Sequence, residues 1–305
     1  MPFCEADPWR KQYFEGVACP PDLRIPTEDP DAYQWYPAYR WIYNKLAVAE
    51  SQGLECAPHG VHPPSFPVFS KPIINLHGMG VGSRVLPDLV TYEREETAGH
   101  FWMPLLTGDH VSTDVAVVNG QPRWFRHCHG VPGVGGTFDY WTIEAQRRES
   151  LAAYLDAWVV RHLAGYTGMF NAETIGGRII EAHLRVADQW PDLYGAGWLD
   201  AVVRLYARGA WEFDDAGRRN GYSIALFGPH GREYRHPPPQ LVAEVRRMPQ
   251  VSSVQITFHE DRPAAAHAMP PGGFRLAVVN SIDLEAGVAA RARLASAWNL
   301  QLARL

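Results

Sequence analysis

A mixed α+β fold with largely antiparallel sheets is what this sequence predicts, and three observations carry that prediction. Helical and strand-like segments alternate along the chain, without the regular strand–helix–strand spacing of a doubly wound parallel sheet. Two tight hairpins are legible from their turns, Asn119-Gly120 and Gly176-Gly177. No segment repeats another. With 305 residues, 46% of them hydrophobic and 20% charged, the chain can bury a sizeable core in one large or two modest domains.

The elements follow in order. Residues 1–37 are rich in Pro, Asp and aromatics without periodicity, and read as an irregular arm lying on the body. Residues 38–53, AYRWIYNKLAVAESQG, predict a helix closing at Gly53. After a Pro/His-rich loop, FPVFSKPIINL reads as a mostly buried strand running into a glycine loop, HGMGVGS. LPDLVTYEREETA reads as a short helix, HFWMPLL as a strand, TGDH as a turn and VSTDVAVVNGQPRWFRHC as the first hairpin. VPGVGG is a flexible segment, and ESLAAYLDAWVVRHLAGY an amphipathic helix. MFNAETIGGRIIEAHLR is the second hairpin and GWLDAVVRLYARGAW a helix. The tail reads as strand GYSIALFG, helix PPQLVAEVRRM, strands SSVQITFHE and FRLAVVNSID, and a closing helix EAGVAARARLASAWNLQL.

Bulk properties narrow the function classes. A formal net charge of -5 offers no basic field for nucleic acid, although local donors bind phosphate whatever the global charge. No run approaches the ~18 apolar residues of a membrane span, and MPFCEADPWRKQYFEG lacks a signal-like apolar stretch. Cys4, Cys19, Cys56 and Cys128 lie far apart, which is no disulfide framework. A reduced, cytoplasmic protein is the expectation.

The sharpest chemical feature is Glu173…Glu181-Ala182-His183. Side chains alternate along a strand, so Glu181 and His183 share a face, and a hairpin turning at the glycine pair brings Glu173 across from them. Two carboxylates suit Mg²⁺, which keeps waters and is completed by substrate phosphates. Arg185, two residues on, is placed to neutralise phosphate oxygens. The competing reading is a solvated hairpin face; Ile179, Ile180, Ala182 and Leu184 argue for burial, where ionised carboxylates need a partner. Lys71 ahead of HGMGVGS is the second feature. Gly78, Gly80 and Gly82 allow the backbone a close approach to phosphate. Alone, the pattern is also that of a structural loop, since no Gly-Lys-Ser/Thr follows and no Rossmann unit opens there. Three further groups stay open. Cys56, His59 and His62 with His127, Cys128 and His129 are zinc ligands or ordinary loop residues. Arg123 and Arg126 touch an anion or form a solvated strand face. Tyr33, Trp35, Tyr36, Tyr39 and Trp41 line a cleft or pack in the core.

Taken together and in this order, the features over about residues 38–212 resemble the ATP-grasp superfamily. Lys45 resembles the first nucleotide-contacting lysine. Lys71 resembles the second, at the α-phosphate, and the loop with Gly78, Gly80, Gly82 and Ser83 resembles the mobile lid over the other phosphates. FWMPLLTGDHVSTDV resembles the adenine hinge, so Met103, Pro104, Leu105 and Leu106 are implied to line the adenine slot, with His110 where an acidic ribose contact is common. MFNAETIGGRIIEAHLR resembles the two-strand magnesium site, with His183 where the family usually has Asn. The resemblance implies Glu173, Glu181 and His183 as metal ligands and Lys71 with Arg185 as catalytic groups.

By that resemblance, residues 38–100 form a small lobe and residues 101–212 a large lobe, each sheet-bearing, with ATP between them. Residues 213–305 form a C-terminal mixed α/β segment packed on the large lobe. Too few residues precede Lys45 for the α/β domain that often comes first, so the substrate cleft is left to the arm, the C-terminal segment or a partner subunit, and a homodimer is expected. The implied activity is an ATP- and Mg²⁺-dependent ligase. It activates a small-molecule or peptide carboxylate as an acyl phosphate and joins it to an amine or thiol, with no nucleic-acid or membrane partner. Two alternatives stand beside it: a small-molecule kinase on the same scaffold, and a non-catalytic nucleotide-binding or partner-binding module.

Overall fold

Residues 3–187 and 189–300 are described by the computed structural model. The chain opens with β1 (Phe3–Cys4), α1 (Pro8–Lys11), β2 (Ile25–Pro26), which pairs in parallel with β1, and α2 (Asp29–Trp35). The expectation of an irregular arm therefore needs correcting: Pro30 in the first turn of α2, after the extended Glu28, starts a helix that buries Asp29. The helix predicted over 38–53 is also interrupted. A 3₁₀ turn at Arg40–Tyr43 stops at Asn44, whose extended backbone and side chain cap a new helix, α3 (Lys45–Ser51), by accepting from the Ala47 N–H at 3.0 Å.

The small sheet comprises β3 (Ala57–Pro58), β4 (Val68–Pro72), β5 (Arg84–Leu86) and, after the short helix α4 (Leu89–Arg94), β6 (His100–Pro104), in the order β3-β6-β4-β5. This sheet reaches past the expected lobe boundary at residue 100, because β6 pairs along the whole of β4. The large sheet begins with the hairpin β7 (His110–Val118) and β8 (Gln121–Pro132), then β9 (Phe138–Ile143), α5 (Glu149–His162), and the hairpin β10 (Gly168–Ile175) and β11 (Arg178–His183). After α6 (Trp198–Arg208) come β12 (Gly221–Gly228), α7 (Pro239–Arg246), β13 (Val251–Ile256), β14 (Phe274–Ser281) and α8 (Leu284–Ala295). The last residues of the predicted closing helix, from 301 on, lie outside the described residues.

These strands make one eight-stranded sheet, β11-β10-β7-β8-β9-β12-β14-β13, antiparallel throughout. The strands expected as a separate C-terminal segment thus extend the large lobe's own sheet. One face buries Val115, Phe125, Phe170 and Ala172 under α5 and the 40–48 region. The other buries Ala116, Trp124, Trp141 and Met169 under α6 and the N-terminal Phe3, Tyr13, Phe14 and Ile25. Glu173 shares this second face with Met169, four residues back. No helix among the described residues is long and apolar enough to cross a membrane.

Candidate active site

The β10–β11 hairpin turns at Gly176-Gly177, both with positive φ. A regular two-residue turn pairs Ile175 with Arg178 and Thr174 with Ile179, as observed, and would then set Glu173 against Ile180. Instead the register shifts and Glu173 pairs with Glu181. Ile180 is the extra residue of a β-bulge, which re-aims the side chains beyond it. The bulge turns the Ile180 carbonyl to the Lys71 ammonium, which donates to it at 2.6 Å. It also packs the Ile180 side chain with Phe101, Met103, Leu106 and Ile73.

Three chain segments converge on these glutamates. Lys45, the first residue of α3, places its ammonium 2.7 Å from Glu181 Oε1. Its own backbone N–H donates to Ile73 O at 2.8 Å, tying α3 to the end of β4. Lys71, on β4, is 5% exposed. Burial, with the charge of Lys45 close by, brings its pKa down to about 7. Glu173 accepts from His110 Nε2 at 3.1 Å. Burial alone would raise the Glu173 pKa, but His110, His183 and Arg185 outweigh it and hold the carboxyl well below its ordinary range.

His183 is paired through α2. Its Nδ1 lies 3.0 and 2.9 Å from the two carboxylate oxygens of Asp29, a residue of α2 that sequence reasoning missed. Arg185 Nε donates to the same carboxylate at 2.9 Å. Burial pushes the Asp29 carboxyl up, yet Arg185 and His183 overcome this and set it well below the usual carboxylate range. The signal was present in Glu28-Asp29-Pro30, an acidic residue where proline opens a helix. A buried network lies beside it: Asn171, the register partner of His183, donates to Asp114 at 2.6 Å, and Tyr194 donates to the other Asp114 oxygen at 2.6 Å. Burial raises the Asp114 pKa to about 6.

Oxygen and nitrogen donors of the kinds that bind divalent cations lie together on this part of the hairpin. Glu173 and Glu181 are facing partners in the register, and His183 Nε2, buried and without a hydrogen bond, lies 4.0 Å from Glu181 Oε1. The donor atoms of Glu173, Glu181 and His183 are not all within 4.8 Å of one another; among the described residues Glu5, Asp7 and Glu28 gather that closely, and Arg10 bridges the last two. Here the Lys45 ammonium supplies the positive charge beside Glu181.

The sequence matches no described protein family and no curated protein. Solved structures do match it. An L-amino acid ligase from Bacillus licheniformis is 14% identical, with a TM-score of 0.64 over 94% of this chain and 82% of that one. The N5-carboxyaminoimidazole ribonucleotide synthetase from Thermus thermophilus is 15% identical, with a TM-score of 0.61 over 97% and 86%. The biotin carboxylase domain of the Hydrogenobacter thermophilus 2-oxoglutarate carboxylase, solved with MgADP and bicarbonate, is 12% identical, with a TM-score of 0.53 over 81% and 63%. The chain has an ATP-grasp fold.

On the ATP-grasp frame the remaining expected residues take distinct places. Met103 and Leu106 face the apolar cluster that Ile180 enters, beside Lys71. Pro104 ends β6, and Leu105 beyond it is 37% exposed. The glycine loop has positive φ at Gly78 (66°), Met79 (59°), Gly80 (63°) and Gly82 (79°). It is pinned at its start by Asn75, which donates to Gly78 O at 3.0 Å, and near its end by Ser83 N–H donating to Gly80 O at 3.0 Å. His110 faces Glu173 and the rings of Phe138 and Trp141.

The open groups resolve too. His59 accepts from Thr97 N–H at Nδ1, so Nε2 faces Ser70 Oγ as a donor, and neither Cys/His cluster gathers as a metal site among the described residues. Arg126 is buried against Asp215. Tyr33, Tyr36, Tyr39 and Trp41 pack against the core. Two open cavities, of about 360 Å³ around Trp124 and Trp211 and about 240 Å³ around Tyr13 and Asp192, include none of the lysines or glutamates of the site.

Proposed function

We propose that this chain is an ATP-dependent ligase that activates a small-molecule or peptide carboxylate and joins it to an amine or thiol. The carrying observation is the convergence of Lys45 on Glu181 and of Lys71 on the adjoining Ile180 carbonyl, with the glycine loop following Lys71 in the chain. The names of the structural neighbours, amino acid and ribonucleotide ligases, support the same class.

On this reading Lys71 and Lys45 neutralise the phosphate chain of ATP, and Met103, Pro104, Leu105 and Leu106 flank the base. His110 stands at the position of the ribose contact. The N–H groups of Gly78, Gly80 and Gly82, with the hydroxyl of Ser83, cover the phosphates and exclude water. Glu173, Glu181 and His183 would hold magnesium, which supplies charge neutralisation across the phosphate oxygens. A substrate carboxylate oxygen attacks the γ-phosphorus, the bond to the β-phosphate oxygen breaks, and ADP leaves. The amine then attacks the acyl carbon, inorganic phosphate departs, and the amine loses a proton. Arg185, held by Asp29, sits where charge accumulates. The chain's part is positioning and electrostatics.

The test is incubation with ATP, Mg²⁺ and a panel of carboxylic acids, with hydroxylamine as trap. ADP release that requires an acid and yields hydroxamate is the expected result. A phosphorylated hydroxyl compound without hydroxamate would give the kinase reading instead. Nucleotide binding without turnover on any acceptor would give the non-catalytic one.

A further inference from the structure

The ATP-grasp site carries one feature that its family resemblance does not explain. We propose that Asp29 is a positioning residue that presents His183 as a nitrogen ligand, so that the site prefers a transition-series divalent cation such as Mn²⁺ or Co²⁺ over Mg²⁺. The inference rests on the nucleotide reading above, because it takes the Glu173–Glu181 face as the metal end of that site.

The place of the imidazole proton is set by the partners of His183. An ionised carboxylate only accepts hydrogen bonds. His183 Nδ1 lies 3.0 and 2.9 Å from the two oxygens of Asp29, so Nδ1 carries the proton and the lone pair of a neutral ring is on Nε2. That nitrogen is buried, makes no hydrogen bond, and lies 4.0 Å from Glu181 Oε1, on the side of the ring away from Asp29. Asp29 cannot turn aside readily. It is 4% exposed, and Arg185 holds it through Nε at 2.9 Å and Nη2 at 3.5 Å. The Tyr43 ring meets the imidazole edge-on at 6.5 Å, and the Tyr43 hydroxyl is itself fixed as acceptor of the Leu184 N–H. A carboxylate behind one ring nitrogen, with the other aimed at an anionic site, is the arrangement that orients metal-binding histidines and raises their basicity.

The metal preference follows from the donor atoms. Magnesium selects hard oxygen ligands, whereas the affinity of a nitrogen-bearing site rises along the transition series from manganese through cobalt. One nitrogen and two carboxylates therefore shift the balance toward the transition series. The competing arrangement is an imidazolium bridging Asp29 and Glu181, with Lys45 as the second cation and no metal bond to His183.

Pulsed electron paramagnetic resonance on the full chain with Mn²⁺ and ADP separates these. The proposal expects ¹⁴N coupling to the bound Mn²⁺, its loss in His183→Asn, and a Mn²⁺ affinity weakened by about 10–100-fold in Asp29→Asn. In competition titrations His183→Asn moves the Mn²⁺:Mg²⁺ selectivity toward Mg²⁺. Bound Mn²⁺·ADP without ¹⁴N coupling, or coupling that survives in His183→Asn and so comes from His110, overturns the proposal while leaving the nucleotide site standing. Failure to bind Mn²⁺ with ADP at all removes both readings. Circular dichroism checks each variant, and His183→Asn alone decides the nitrogen ligand if Asp29→Asn does not fold.

Discussion

Glu181 answers to three groups at once: the Lys45 ammonium at 2.7 Å, His183 Nε2 at 4.0 Å and Glu173 across the ladder. Neutralising it should be felt as function before stability. Glu181→Gln is expected to lower ATP turnover by about 100-fold or more with unchanged circular dichroism; wild-type turnover in that variant would remove Glu181 from the mechanism. Lys71 offers a pH signature. Its pKa of about 7 in the nucleotide-free protein means that much of it is neutral above neutrality, while phosphate favours the protonated amine. Nucleotide binding should take up a proton, and ADP affinity should fall by up to about tenfold per pH unit between pH 7 and 9. Calorimetry in buffers of different ionisation enthalpy reads this, and Lys71→Met should abolish it. The sign for folding runs the other way. The unfolded lysine keeps its proton to about pH 10.4, so this group makes the empty protein more stable as pH rises from 7 toward that value.

The β10–β11 hairpin shows what a sequence can and cannot say about a site. Both turns were legible, because Asn119-Gly120 and Gly176-Gly177 are the residues that positive φ demands. That Glu173 faces Glu181 was expected from strand alternation, but alternation around a two-residue turn pairs Glu173 with Ile180. The bulge corrects the register, and its cause lies outside the hairpin, in the Lys71 ammonium and the apolar cluster that receives Ile180. Asp29 was missed for a similar reason: its partners, His183 and Arg185, are more than 150 residues away, and no local pattern records them. Deleting Ile180 should restore a regular ladder that still sets Glu181 against Glu173 but removes the carbonyl that holds Lys71 and the side chain that enters the apolar cluster. Loss of turnover with the hairpin amides still protected from exchange is expected, and retained turnover would show that the bulge does not set the site. The break at Asn44 was legible in hindsight, since Asn is a strong cap and Lys45 must start a helix to reach Glu181.

At the scale of the whole molecule, eight strands contributed by residues 110–281 form one sheet, and a four-stranded sheet stands against its β11 edge through α3 and Lys71. A ligand that joins the two sheets should stabilise the whole. ADP with a divalent cation at about 100 times its Kd contributes ~2.7 kcal/mol, which thermal melting would register as a rise of several degrees; an unchanged Tm under those conditions would count against a nucleotide site. The connection between the sheets, residues 105–109, is not independent of the hairpin. Gly176 donates its N–H to Asp109 O at 3.1 Å, a Cβ at Gly108 would come within 3.0 Å of Gly176 Cα, and one at Gly176 would run into the Thr107 carbonyl oxygen. Gly176→Ala should therefore cost about 1–2 kcal/mol for its positive φ alone, and more if the connection cannot yield. What these bare backbones make between them is an axle without a sleeve. Two turns of the chain touch there with no side chain between them, so a displacement of the connection would be passed directly to the strands that bear the glutamates.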